Sequence, residues 1–488
     1  MNSRKLFSIY LFALAFICIP VLLASQYYVD DMGRAALGYT RWGIDGRPLS
    51  DFIMMTLNMG DHIVDLYPLP LILGISCLAL SLVLIKEKLI NENSFIAITI
   101  PLLFIASPSL SEMLSYRFDS LPMLVSISVT SLILAVRYDN YLLRMLSYGI
   151  ISTCAFSTYQ VSINLLVIIG MCEFLRRYIN NDKPIRFLIE ISISVIVSAI
   201  VYLKIILPYF FGGNHGGNHP TLSNNSIIST IHVNAQRYYS FLDNNVFNNN
   251  FDLFLIITLS VSVICSLVII YQKFKTKKYK HQEFILSSFI VLMIPFFAFI
   301  FCVGSLLVLK SAIPFFTRIY VGVGGFIFLI AYYAYSTKIK IMALLYVPYT
   351  LCIVFYLVIY MFAYGNAVKA QDKYISSIFN EIKFLSSNIN YTNIAFTGRE
   401  LKPVMLINSE KKFPLLKYSV PQYLNNFYWP YRRMLMENLS LRRPPNAQEV
   451  LKYALDNKCR YSTKIEGKNF YLYLVKDTII VDSDKSCK

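Results

Sequence analysis

The chain has 488 residues, 56% of them hydrophobic and only 15% charged, with a mean hydropathy of +0.53. That balance is too apolar for a soluble domain to hide, and it excludes disordered, collagenous, coiled-coil and disulfide-scaffold classes, leaving a polytopic α-helical membrane protein. The formal charge of +17 (45 Lys+Arg against 28 Asp+Glu) would suggest nucleic acid in a soluble chain, but here much of it stands in short segments between apolar runs and reads as membrane topology, with no nucleic-acid partner expected.

In chain order, Met1 to Lys5 followed by Leu6 to Ala24 has the charged start of a signal peptide, but the apolar stretch is too long and is expected to be the first retained span. A crossing helix needs about 20 mostly apolar residues, and about eleven such windows follow one another: 6–25, 66–85, 94–110, 120–136, 142–157, 159–175, 187–211, 251–272, 284–308, 319–336 and 341–363. The fifth and sixth nearly touch at Ser157-Thr158-Tyr159-Gln160. This gives a transmembrane domain over 1–363 with exterior loops at 26–65 and 212–250, the second opening on a glycine-rich, then Asn-rich, stretch. The polar tail, 364–488, is long enough for a small exterior α/β domain. Its spacing predicts a helix over 366–388, strands at 393–397 and 469–475, and a helix over 447–456.

Orientation comes from Lys and Arg in short loops. One alternating set of segments carries seventeen of them, including Arg4, Lys5, Lys86, Lys88, Arg137, Arg144, Arg176, Arg177, Lys273 and Lys338. The other carries seven: Arg34, Arg41, Arg47, Arg117, Arg237, Lys310 and Arg318. The N-terminus is therefore expected in the cytoplasm, and an odd number of spans puts the tail outside. Seven of the nine cysteines fall in apolar runs and act as small hydrophobes. Cys459 and Cys487 remain, and in an oxidising compartment they are expected to pair.

Chemistry concentrates in the first exterior loop. Asp30 and Asp31 follow the first span directly, and adjacent acids at low dielectric raise one another's pKa, which suits a general base at the bilayer surface. Arg34, Arg47 and Trp42 come next, offering cations for an anionic group and an aromatic face for a sugar or lipid. Tyr116-Arg117-Phe118-Asp119 and Tyr159-Gln160 join from the same side, although an Asp at a helix start is commonly a cap and an interfacial Tyr commonly a belt residue. Further exterior cations are Arg237, Lys310 and Arg318.

The run YYVDDMGRAALGYTRWGIDGRPLSD, then YRFDSLPM, then STYQVSIN, resembles the phage-borne serotype-converting O-antigen glucosyltransferases, most closely over residues 1–180. The resemblance implies a GT-C architecture and a site on the outer face of the bacterial cytoplasmic membrane. It implies undecaprenyl-phosphate-glucose as donor and lipid-linked O-antigen as acceptor. It places Asp30 and Asp31 at the acidic motif, Arg34 and Arg47 at its basic companions, and Asp119 and Gln160 at later positions. Which Asp acts as base stays open. Arg34, Arg117 and Arg318 are the expected donor-phosphate ligands, with Trp42, Arg47, Tyr116, Asp119 and Gln160 around the substrate. Independently of the resemblance, nucleotide sugars are cytoplasmic, so acids outside need an activated sugar delivered in the membrane.

No cofactor and no metal ligands are expected, although a divalent ion would do the work of the cations. His215 and His219 stand four apart, but glycine-rich sequence makes a poor helix for a metal pair. The competing reading is a transporter or flippase of a lipid-linked sugar. Against it, Glu173, Glu190, Lys204 and Asp252 fall near span ends and not at mid-membrane.

Overall fold

A computed structural model describes residues 2–212, 226–275, 281–424, 428–436, 447–460 and 464–487. The glycine-rich stretch with His215 and His219 lies outside them. The protein is mostly helical. Helix α1 (Ser3–Ala24) is followed by two short helices, α2 (Asp31–Leu37) and α3 (Pro48–Asn58), and by α4 (Leu69–Leu89). The chain continues through α5 (Phe95–Thr99), which tightens into a 3-10 turn to Ile105, α6 (Ser109–Ser115), α7 (Ser120–Thr130), α8 (Tyr141–Thr158), α9 (Ile163–Asn180) and α10 (Pro184–Val201). A π-turn at Tyr202–Ile206 leads to α11 (Leu207–Phe210), after which come α12 (Ile227–Asn245), α13 (Phe251–Lys275), α14 (His281–Ile300), α15 (Val321–Ser336) and α16 (Lys340–Leu385).

Six helices are long and apolar enough to cross a membrane among the described residues, seven if a bent pair counts as one span, against the eleven windows expected. The window at 94–110 is that pair: residues 95–105 and α6 meet at 72°, broken at Pro108, which cannot continue the helix ahead of it. Helix α15 has only 16 residues, yet all of them are buried, as expected for a helix apolar all round its circumference. Close packing explains a glycine there: a Cβ on Gly324 would lie 2.5 Å from the carbonyl oxygen of Phe104. Helices α8 and α9 have 18 residues each and carry Arg144, Glu173, Arg176 and Arg177, so composition and not length sets them apart.

Charges sort to the two ends of the helix bundle. At one end Ser3 bonds Glu87, Lys338 pairs with Glu92 at 3.1 Å, and the Lys273 ammonium donates to the Ile179 carbonyl. Glu173 there holds Arg137, Arg176 and Arg177, and Glu190 holds Arg144 and Arg186, so these buried acids are ion-paired. These are segments of the Lys/Arg-rich set. The opposite end gathers α2, α3, the α6–α7 junction, Tyr159-Gln160, residues 304–319 and the C-terminal part.

The expected boundary at 363 falls inside α16, which runs 46 residues without a break. Its far half lays Ile375, Ile378, Phe379 and Ile382 against a four-stranded sheet of order β1-β4-β3-β2, made of β1 (Asn393–Thr397), β2 (Lys464–Glu466), β3 (Tyr471–Val475) and β4 (Thr478–Asp482). Strand β1 pairs parallel with β4, and the other two pairings are antiparallel. Helices α17 (Val404–Lys412), α18 (Leu416–Ser419), α19 (Tyr428–Met436) and α20 (Ala447–Asn457) complete this α/β part. Cys459 and Cys487 form the expected disulfide, their Cα atoms 5.3 Å apart, and tie the turn after α20 to the chain beyond β4.

Candidate functional site

The polypeptide leaves α1 at Ser25, in a left-handed conformation, and turns within six residues into α2. Asp31 is completely buried and accepts backbone N–H bonds from Tyr28 (3.1 Å), Arg117 (2.8 Å) and Phe118 (3.3 Å). It thus ties the α1–α2 turn to the α6–α7 junction. Burial pushes its pKa from 3.8 up to about 8, against the pull of those N–H groups and Arg34 and with Asp119 adding to the rise. Asp30 is different. It is half-buried, makes no capping bond, and its carboxylate has no hydrogen-bond or ion-pair partner among the described residues.

Around Asp30 the cations are held in place. Burial opposes the charge of Arg34, but Asp119, Asp30 and Asp31 outweigh it and raise its pKa. Arg34 lies over the Trp42 ring at 4.2 Å and 3.1 Å from Asp119, while its buried Nε has no hydrogen-bond acceptor among the described residues. Arg318 is gripped by Glu112, which accepts from its backbone N–H (2.8 Å), its Nη1 (3.1 Å) and the Thr317 hydroxyl (2.7 Å). Its Nη1 also donates to the Tyr116 hydroxyl. Burial again disfavours the charge, and Tyr116, Glu112, Tyr159 and Asp30 together hold the pKa well above the usual value. Tyr159 bonds the Arg318 carbonyl at 2.9 Å.

A second layer fixes the loop. Asp119 starts α7 without capping it, and instead accepts Trp42 Nε1 at 2.8 Å and lies 3.7 Å from Arg47. Asp51 accepts the Trp42 backbone N–H at 2.9 Å. Gln160 donates to the Asp45 carbonyl (3.2 Å) and the Tyr202 hydroxyl (2.9 Å), and Tyr202 donates to the Gly46 carbonyl (2.8 Å). Gly46 has φ +76°, and a Cβ there would sit 2.7 Å from the Tyr202 oxygen, so the turn carrying Arg47 requires glycine.

Two expectations change with this geometry. Trp42 was expected to present a face to sugar or lipid, but it is wholly buried, because its ring is covered by Arg34 and its indole N–H needs Asp119 as acceptor. Arg117 was expected among the phosphate ligands, yet every nitrogen of its guanidinium is engaged: Nε with the Gln26 carbonyl, Nη1 with Asp65, and Nη2 with Ser25. It also lies between the rings of Tyr27 and Tyr67. The remaining expected residues, Asp30, Asp31, Arg34, Arg47, Tyr116, Asp119, Gln160 and Arg318, converge at one end of the bundle. The sequence places Glu112 on the segment that joins the site without giving it a role there, and gives none to Asp51 or Tyr202. Glu112 carried a signal, since it stands just beyond the 94–110 window, where an acid close to apolar surroundings needs a partner.

For metal, His232 stands in α12 beside Gln236 at 3.1 Å, and no group of three or more His, Cys, Asp or Glu suited to a metal ion occurs among the described residues.

Residues 19–330 match the family model described as Glucosyl transferase GtrII. The chain is also 28% identical over 495 residues, spanning 98% of both chains, to the uncharacterized 55.3 kDa protein in the gtrB 5' region of Salmonella phage P22. No solved structure matches. With that match over most of its length, and an acid-and-arginine cluster at the mouth of a helical membrane bundle, the chain belongs to the GtrII glucosyl transferase family.

Proposed function

We propose that the protein transfers a glucosyl residue from undecaprenyl-phosphate-glucose to lipid-linked O-antigen on the outer face of the bacterial cytoplasmic membrane, and so alters serotype. The observation that carries this reading is Asp30: a carboxylate with no hydrogen-bond or ion-pair partner among the described residues, within electrostatic reach of Arg34 and Arg318, in a turn whose neighbouring residues are tied down. Asp30 takes the proton of the acceptor hydroxyl as that oxygen bonds the anomeric carbon. The bond from that carbon to the phosphate oxygen breaks, configuration inverts, and the electron pair leaves with the lipid phosphate. Arg318 and Arg34 face the growing negative charge; the buried Arg34 Nε is a donor with no acceptor among the described residues. Asp31 positions Asp30, and Asp119 positions Arg34 and Arg47. Arg117 braces the end of α1.

Support for the outer face comes from the sorting of Lys and Arg to the opposite end of the bundle and from the Cys459–Cys487 bridge on the site's side. A site on that side has no access to nucleotide sugars, which favours a lipid-borne donor. Against a transporter, Glu173 and Glu190 are saturated by arginines at the far end. The test is transfer by purified protein in detergent, supplied with radiolabelled undecaprenyl-phosphate-glucose and lipid-linked O-antigen. Label is expected in the acceptor; label that stays in the donor under all conditions contradicts the proposal.

A further inference from the structure

The residue before Asp30 has an unusual backbone. Val29 is β-branched, yet its φ is +48°, in the left-handed region where such side chains clash with their own main chain. Backbone of this kind persists only where surrounding contacts over-determine it. Here the contacts come from nearly 400 residues away. The hydroxyl of Tyr423 accepts the Val29 N–H at 3.1 Å and donates to the Tyr27 carbonyl at 2.8 Å, so one oxygen bridges the peptide groups on both sides of Tyr28. The Tyr423 side chain is only 1% exposed and sits in the apolar cluster that joins α2 to the sheet and the far half of α16.

Its neighbours complete the clamp. The Tyr28 hydroxyl donates to the Ser419 carbonyl at 2.8 Å, and Asp31 is fixed by the N–H groups of residues 117 and 118. The Asp30 carbonyl accepts from the Gly33 and Arg34 N–H groups, so from residue 27 to 31 the Asp30 carboxylate is what stays without a hydrogen-bond or ion-pair partner among the described residues. Were Val29 to relax to negative φ, the direction of the chain into α2 would change and the Asp30 carboxylate would swing relative to Arg34 and Arg318.

We infer that Tyr423, supplied by the C-terminal α/β part, is a positioning residue for glucosyl transfer: its hydroxyl holds Val29 in the left-handed conformation that aims Asp30 at the cations. The inference rests on the reading of Asp30 as base. It also gives the C-terminal part a role in the chemistry, because its removal would free the Val29 turn.

The experiment uses the full-length purified protein, radiolabelled undecaprenyl-phosphate-glucose and lipid-linked O-antigen. Tyr423→Phe keeps the ring in its apolar seat and removes only the bridging oxygen. It is expected to lower kcat at least tenfold with the donor KM within twofold, since it misdirects a base without touching the donor. Glycine adopts positive φ without a clash, so Val29→Gly added to Tyr423→Phe is expected to restore most of the lost kcat, a rescue that mere loss of packing would not permit. Where Tyr423→Phe does not give folded protein, Val29→Pro tests the same point with Tyr423 intact, because proline fixes φ near −65° and removes the N–H; it should lower kcat in the same way. Tyr423→Phe activity within twofold of wild type, a loss that Val29→Gly leaves unchanged, or normal kcat in Val29→Pro overturns the inference. Full activity of Asp30→Asn in the same assay would instead remove the base reading beneath it, whatever Tyr423→Phe does.

Discussion

Replacing Asp31 by Asn should unfold the site, not disarm it. The amide would point a donor at one of three backbone donors in a fully buried pocket, and an unsatisfied group there costs roughly 1–3 kcal/mol. A lowered thermal midpoint in detergent checks this, set beside Asp30→Asn, which should melt like wild type. The titration of Asp31 adds a pH dependence. Its folded pKa, about 8, lies above the ordinary 3.8, so between these values the folded state binds more proton than the unfolded one, and stability falls as pH rises from about 4 to about 8. The slope should be absent in Asp31→Asn. The two central arginines separate by a different measurement. Arg318→Lys keeps the charge but loses the planar fork, and should raise the donor KM several-fold, whereas Arg117→Ala should leave donor KM unchanged and lower the thermal midpoint, as the partly exposed Asp65 and the Gln26 and Ser25 carbonyls lose their donor.

At the scale of elements, the α1–α2 turn, the α6–α7 junction and the Tyr159-Gln160 hairpin were legible as one site because each puts acids, arginines or amides directly beyond an apolar window. Division of labour within the pair Asp30-Asp31 was not legible, since it depends on which carboxylate meets the N–H groups of residues 117 and 118, contacts 86 and 87 residues away. The bend at Pro108 and the shortness of α15 were hidden for a related reason: hydropathy windows report apolarity, and a buried helix is as apolar as a spanning one. Strand β4 escaped notice because all five of its residues are buried, so it shows no alternation. The Cys459–Cys487 pair was foreseen from compartment and count alone. Its reduction should destabilise the α/β part by about 3 kcal/mol for a loop of 28 residues, seen as a reductant-dependent loss of the sheet's hydrogen-exchange protection.

For the whole molecule, the bundle reads as a support with two charged ends: one collects Lys and Arg into ion pairs with Glu173 and Glu190, and the other collects acids and arginines into a cluster roofed by the C-terminal part. The long helix α16 runs from bundle to roof, and Tyr423, which braces the Asp30 turn, packs in the same apolar cluster as the far half of that helix. An alkaline phosphatase fusion after Lys488, which folds only outside the cytoplasm, should be active, and the same fusion within the 276–280 segment should not. The reverse pattern would place the cluster where nucleotide sugars are available and remove the argument for a lipid-borne donor.

Asp30 as the base of glucosyl transfer can be tested by itself. The rate of label transfer from undecaprenyl-phosphate-glucose to lipid-linked O-antigen by Asp30→Asn, in protein shown to be folded by its melting temperature, tests it most directly. A fall of roughly 100-fold or more, with wild-type stability, is expected. Near-wild-type transfer by Asp30→Asn would contradict it and move the chemistry to another acid.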